Sequence, residues 1–172
     1  MTKEIALTFD DGPWGTRTIR VVDELTNRKI PATFMIWGEH MAEYPEILKV
    51  AAENELFAFG NHTYHHRHLT DLSDKEILSE LNKTDALFYE LTGKKLDFVR
   101  PPFGDCDAHT LAIIQRPLIC WSLDTMSWDY GNPAKCVEAI HKAKDGDIVL
   151  MHDFQEADVF ALSAILDYLQ EE

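Results

Sequence analysis

The sequence predicts an α/β fold, a parallel sheet with helical crossovers, closed as a barrel or open and doubly wound. Three observations carry this. Six short apolar runs alternate with stretches of helical periodicity along 172 residues. No internal repeat or linker interrupts the alternation, which points to one domain over residues 1–172. The length suffices for a sizeable core, but a full eight-stranded barrel usually takes about 250 residues, so a barrel here must be incomplete or compact.

Ile5 to Phe9 reads as the first strand, ended by Asp10-Asp11-Gly12-Pro13. Thr16 to Lys29 carries Ile19, Val22 and Leu25 at helical spacing, and Pro31 opens the next apolar run, Ala32 to Trp37. A helix from about Tyr44 to Asn54 and a strand around Leu56 to Phe59 follow. The long helix from Ser73 to about Leu91 opens with Ser73-Asp74-Lys75-Glu76, which has the form of a capping box, and Gly93 closes it. Its stripe of Ile77, Leu78, Leu81, Phe88 and Leu91 predicts core packing. Asp97 to Arg100, Leu118 to Asp124 and Asp147 to Met151 read as three further strands. Helical patterns at Ala108 to Ile114 and Pro133 to Lys144 separate them, and a last helix runs from about Ala157 to Leu169.

Composition narrows the function classes. Sixteen basic and 30 acidic side chains give a net charge of −14, which would repel phosphate backbones and argues against a nucleic-acid partner; a neutral substrate fits better. No run approaches the roughly 20 apolar residues of a bilayer crossing, and Met1 to Ile5 lacks a signal-peptide layout. Cys106, Cys120 and Cys136 are odd in number and include no C-x-x-C pair, so buried thiols are expected rather than disulfides or a zinc knuckle.

Polar residues fall at the C-terminal ends of five predicted strands: Asp10-Asp11, Gly60-Asn61-His62, Arg100-Pro101-Pro102, Asp124 and His152-Asp153. Both candidate topologies put their active site on that face. His62 and His66, four apart, would share one face of a helical turn and offer two imidazoles to one ion, with Asp10 or Asp11 as third ligand. Three ligands and an open position are the mark of a catalytic divalent site. The second Asp would then stand within reach of a metal-bound water and take its proton. Arg100 is placed to hold a carboxylate ionised and oriented, and His152 to protonate a leaving group from the opposite side. Of the two tryptophans nearby, Trp121 reads as core and Trp128, in a polar loop, as a platform for a sugar ring.

Taken together these segments resemble the polysaccharide deacetylases of carbohydrate esterase family 4, whose ordered motifs match along nearly the whole chain. Thr8-Phe9-Asp10-Asp11-Gly12 resembles T-F-D-D-G, which implies Asp10 as catalytic base and Asp11 as metal ligand. His62-Thr63-Tyr64-His65-His66 resembles H-[ST]-x-x-H, implying His62 and His66 as ligands and leaving His65 and His68 as bystanders. Arg100-Pro101-Pro102-Phe103-Gly104 resembles R-P-P-Y-G, implying that Arg100 orients the base and that the Phe103 amide helps to stabilise an oxyanion. Leu150-Met151-His152 resembles L-x-H, implying Leu150 against the acetyl methyl and His152 as general acid. The fold implied is a distorted, incomplete (β/α) barrel of about seven strands.

Two features depart from the family. Its fourth motif, D-x-x-D-W, reads Asp124-Thr125-Met126-Ser127-Trp128 here, so Ser127 stands where the family has the acid that raises the pKa of the catalytic His. The expectation is a lowered His152 pKa and an activity optimum at lower pH. Family members also add a short strand after the last helix, whereas this sequence stops at Gln170-Glu171-Glu172. The resemblance implies metal-assisted removal of acetyl groups from N-acetylglucosamine residues of chitooligosaccharide or peptidoglycan type. The ion is expected to be zinc, with cobalt or manganese also suited to the donors. An acetylated oligo- or polysaccharide is the expected partner of a monomer without a membrane span, acting outside the cell or in its envelope. Acetyl-xylan esterase activity at the same site and a catalytically degenerate glycan-binding domain are the alternatives.

Overall fold

The structure, a computed structural model, describes residues 4–171. Five parallel strands, β1 (Ala6–Asp10), β2 (Ala32–Ile36), β3 (Phe57–Asn61), β4 (Leu123–Asp124) and β5 (Ile148–His152), form one sheet in the order β3-β2-β1-β5-β4. Between and after them run α1 (Gly15–Arg28), α2 (Gly38–Glu43), α3 (Pro45–Glu53), α4 (Asp74–Thr92), α5 (Ala108–Ile114), α6 (Ser127–Tyr130), α7 (Pro133–Ile140) and α8 (Glu156–Glu171). No helix among the described residues is long and apolar enough to cross a membrane.

Strand alternation separates packing from chemistry. Leu7 and Phe9 of β1, Phe34 and Ile36 of β2, Phe57 and Phe59 of β3, and Val149 and Met151 of β5 enter one core with α1, α3, α7 and α8. The intervening residues therefore point the other way. Thr8 and Asp10 are two apart on that second face, and both meet the guanidinium of Arg100. Parallel register pairs Thr8 with Leu150 and Asp10 with His152, so a base and an acid candidate stand side by side on adjacent strand ends. The core face is held by aromatic contacts, with Phe34 packed 5.4 Å from Phe9, 5.2 Å from Phe57 and 6.0 Å from Phe59. A second, smaller cluster of Leu69, Leu72, Ile77, Leu81, Val99 and Ile114 lies between α4 and α5.

Several expectations are met locally. Ser73 and Glu76 form the capping box of α4, and Gly93 ends the helix at φ 70°. Two side chains leave their expected stripes: Ile19 and Leu78 are exposed, while Thr18 and Val21 on α1 and Glu80 and Thr84 on α4 are buried instead. The short helices α2 and α6 were not expected.

The larger correction concerns the sheet. The expected strand from Asp97 to Arg100 is a single parallel bridge at Val99, which joins Asn61 on one side and Leu118 on the other. Pro101, Pro102 and Pro117 have no N–H to give, so neither neighbour extends into a ladder. The run from Leu118 to Asp124 breaks for a different reason. The carbonyls of Ile119 and Cys120 accept from Arg100 Nε and Nη2, at 2.8 and 3.0 Å, and pairing resumes only at Leu123. The sheet thus has five strands rather than about seven.

Candidate active site

Arg100 is fully buried, and its guanidinium is ordered by four acceptors. Nη1 donates to Asp10 Oδ1 at 2.6 Å and to Thr8 Oγ1 at 2.8 Å, while Nε and Nη2 hold the two carbonyls named above. Asp10, at the end of β1, is thereby fixed in position. Asp11 follows with φ 76°, which breaks the strand alternation, and both carboxylates face one imidazole: Asp10 Oδ2 and Asp11 Oδ1 lie 3.6 and 3.2 Å from His62 Nε2. The turn is held by His40, whose Nδ1–H donates to the Asp11 carbonyl at 2.5 Å, and whose ring stacks on Trp37. Gly12 is needed by close approach, since a Cβ there would lie 2.1 Å from Asp153 Oδ2.

His62 follows β3, but the segment after it is irregular rather than a helical turn, with Thr63 at φ 68° and His66 at φ 54°. Spacing brought the two histidines together for another reason than the expected one. Thr63 Oγ1 accepts the His66 N–H at 3.2 Å, and the buried carboxylate of Glu80 on α4 accepts the N–H groups of Tyr64 and His65 at 3.1 and 2.8 Å. His65, no ligand, pairs its own ring with Glu80 at 2.6 Å and so anchors the loop. His68 pairs with Asp105 at 2.9 Å and stacks on Phe103, 4.0 Å between centroids.

Asp11, His62 and His66 each offer a ligand atom within 4.8 Å of the others. Asp11 Oδ1 lies 3.2 Å from His62 Nε2 and 3.1 Å from His66 Nε2, yet it is buried with no hydrogen bond of adequate geometry. His62 Nδ1 faces the Arg100 carbonyl at 2.7 Å; a carbonyl only accepts, so Nδ1 carries the proton and the Nε2 lone pair points at the carboxylate oxygen. Such a convergence of lone pairs needs a proton or a cation at its centre. Accordingly, burial opposes the charged form of His62, but the charges of Asp10 and Asp11 outweigh it and raise its pKa. Burial likewise works against an ionised Asp11, yet the imidazoles of His62 and His66 bring its pKa well below the usual carboxylate range. Two imidazoles and a carboxylate with an orphaned oxygen fit a divalent ion, which would displace the proton.

These groups open onto one cavity of about 340 Å³, lined by Asp10, Asp11, His62, His66, Phe103, Asp124, Trp128, Leu150 and His152, together with Trp121 and Gln155. Its size is at the lower end of ligand pockets and matches one sugar residue better than a buried oligomer. Phe103 and Trp128, 57% and 55% exposed, line its rim. Asp124 fixes that rim by accepting from the Trp128 indole at 3.0 Å and from the Met126 N–H at 2.7 Å. Trp121, expected in the core, lines the cavity instead, wedged where a Cβ on Gly104 would lie 2.8 Å from its ring. Arg100 and Ser127 stand behind the wall. The expectation of buried thiols holds for Cys136 but not for Cys120, which is exposed.

The expected weakening of His152 is overturned. Burial pulls its pKa down, but a contact with Asp158 and the charges of Asp11, Asp10 and Asp158 more than offset this, and the pKa is raised to about 9. The carboxylate absent at Ser127 is present on α8, at a position that no motif marked. Spacing gave no signal for Asp158 or His40, because each reaches the site from an element that the motifs do not include.

Comparison with known proteins identifies the family. A family model described as polysaccharide deacetylase matches residues 1–117. The peptidoglycan-N-acetylglucosamine deacetylase PgdA of Listeria monocytogenes is 35% identical over 169 residues, 98% of this chain and 36% of the relative. The chitooligosaccharide deacetylase of Rhizobium leguminosarum is 34% identical over 158 residues, 88% of this chain and 72% of the relative. Among solved structures, the T48 deacetylase with substrate superposes with a TM-score of 0.94 at 38% identity, covering 99% of this chain and 85% of that one. The chain spans about a third of the length of the first curated relatives that it matches. With a family model over residues 1–117, relatives at 34–35% identity and a superposition covering nearly the whole chain, the chain belongs to the polysaccharide deacetylases of carbohydrate esterase family 4.

Proposed function

We propose that this chain hydrolyses the 2-acetamido group of N-acetylglucosamine residues in a glycan of peptidoglycan or chitooligosaccharide type, releasing acetate. The observation that carries the reading is the pairing of two carboxylates with opposite surroundings. Asp10 is clamped by a buried Arg100, while Asp11 turns an unpartnered oxygen to two imidazole nitrogens. Such a division separates a proton acceptor from a ligand. Asp11, His62 and His66 would hold a divalent ion, zinc before cobalt or manganese, which would supply Lewis acidity to a water and to the acetyl carbonyl. Asp10 takes the proton of the attacking water, and Arg100 keeps its carboxylate aimed. The Phe103 amide is the proposed donor to the developing oxyanion, and Leu150 faces the acetyl methyl. His152, whose pKa its acidic neighbours raise, gives its proton to the departing amine. Trp128, with Asp124 bracing it, stacks on the sugar ring.

In the same reading the chain is one domain, and the segments bridging at Val99 and Leu118 serve as two further staves of a distorted, incomplete barrel. The bridges from Asn61 to Val99 to Leu118 support this. Acetate release from chitooligosaccharides, peptidoglycan fragments and acetylated xylan, measured in parallel with zinc, tests the substrate class. Release from the first or second is expected. Release from xylan alone would move the activity to esters, and release from none with metal bound would favour a glycan-binding role.

A further inference from the structure

The acid missing before Trp128 has a counterpart on another element. Asp158, in the first turn of α8, is fully buried directly beneath His152. Its Oδ2 accepts the Ser127 hydroxyl at 2.5 Å and the backbone N–H of His152 at 2.7 Å, and its Oδ1 accepts the Thr125 hydroxyl at 2.7 Å. The direct line from Asp158 Oδ2 to His152 Nδ1 is 3.6 Å, too long for a hydrogen bond. Ser127 Oγ closes that gap, 3.4 Å from Nδ1. A carboxylate only accepts, so the Ser127 proton goes to Asp158 and its lone pair is left for an Nδ1–H. The imidazole is thereby turned with Nε2 toward the cavity, 3.9 Å from Asp11 Oδ2.

Charge points the same way. A fully buried carboxylate is costly unless paired, and His152 is its only ion-pair partner among the described residues. Thr125 and Ser127 are neutral, and so is the nearby Cys136 thiol, which burial and the Asp158 charge push up to about 12.

We propose that Asp158 is the positioning residue of His152, the acid having moved from the fourth motif to the start of the last helix, with the Ser127 hydroxyl as the link between carboxylate and imidazole. Asp158 acts through His152 and touches no substrate. The kinetic part of the test rests on the deacetylase reading; the spectroscopic part does not.

The discriminating variants are Asp158→Ser and the exchange Ser127→Asp/Asp158→Ser, which returns one carboxylate to the site from α6. In proton NMR of the wild-type chain, an exchange-protected imidazole N–H signal that His152→Gln abolishes is expected. Asp158→Ser should lose its protection, and the exchange variant should regain it. In the zinc-loaded enzyme Asp158→Ser should lower kcat at least about tenfold, with KM and bound zinc unchanged, and the exchange should recover most of that loss. A purely structural Asp158 would not be replaced by a carboxylate at position 127. Absence of the protected signal in the wild type, its persistence in Asp158→Ser, or a folded exchange variant without it would overturn the proposal. Should Asp158→Ser fail to fold, the exchange variant is compared with the wild type on the same two readouts. A wild type that releases no acetate from any substrate would sink the deacetylase reading and leave the spectroscopic comparison to decide this one.

Discussion

Arg100 spends its donors on Asp10, Thr8 and two backbone carbonyls, and no other side chain type can serve all four. Arg100→Lys is expected to keep the charge and lose the fork. An ammonium cannot reach all four acceptors, so buried acceptors lose their partners and the variant should unfold at clearly lower denaturant and lose turnover together. Asp10→Asn should behave differently, keeping zinc content while kcat falls about 10²- to 10⁴-fold; a comparable loss of zinc would show that Asp10 is itself a ligand. Asp153 offers a pH test. It is buried, its Oδ1 has no partner, and burial, aided by the charge of Asp11, pushes its pKa up to about 7. Between about 4 and 7 the folded state therefore holds a proton that the unfolded chain has released. Its own contribution to stability falls as pH rises through that window, by about 4 kcal/mol. In metal-free protein Asp153→Asn should flatten that slope; an equally steep one would assign it to other groups. Residues of this kind differ in how legible they are. Asp10, Asp11 and Arg100 stand out because they follow apolar runs directly, whereas Asp158 and His40 lie on helices whose docking decides what they touch.

At the scale of elements, the loop from His62 to His68 is held from outside by α4. Glu80 accepts two of its backbone N–H groups and the His65 ring, so Glu80→Ala should release the loop and lower zinc affinity by about tenfold or more. Competition with a chromophoric chelator reads this directly, and an unchanged affinity would mean that the loop holds its own shape. The capping box and the glycine stop of α4 were legible because they depend on neighbours within one turn. The irregular path of the His62 loop was not, since i, i+4 spacing is equally compatible with a helical turn and with a loop tied down by a distant carboxylate. The break between Leu118 and Leu123 likewise depends on Arg100, whose claim on two carbonyls no local pattern announces.

At the scale of the molecule, parallel strands bring their C-terminal ends to one face, and that rule makes the convergence of Asp10, Asp11, His62, Arg100 and His152 legible in the sequence. Apolar alternation then assigns Thr8, Asp10, Leu150 and His152 to the face away from the main core. Sheet closure was less legible, because prolines at 101, 102 and 117 leave bridges where apolar content predicts strands. On the proposed reading, the sheet, the buried Arg100 clamp and the α8 carboxylate all serve a centre for one divalent ion and one proton donor. The most direct measurement is acetate release from an N-acetylglucosamine oligomer by the wild-type chain, stripped of metal by chelation and then titrated with zinc. Release should stop in the stripped protein and return with about one equivalent of zinc. Release that persists after stripping, or a fully zinc-loaded protein that leaves every acetyl group in place, would contradict it.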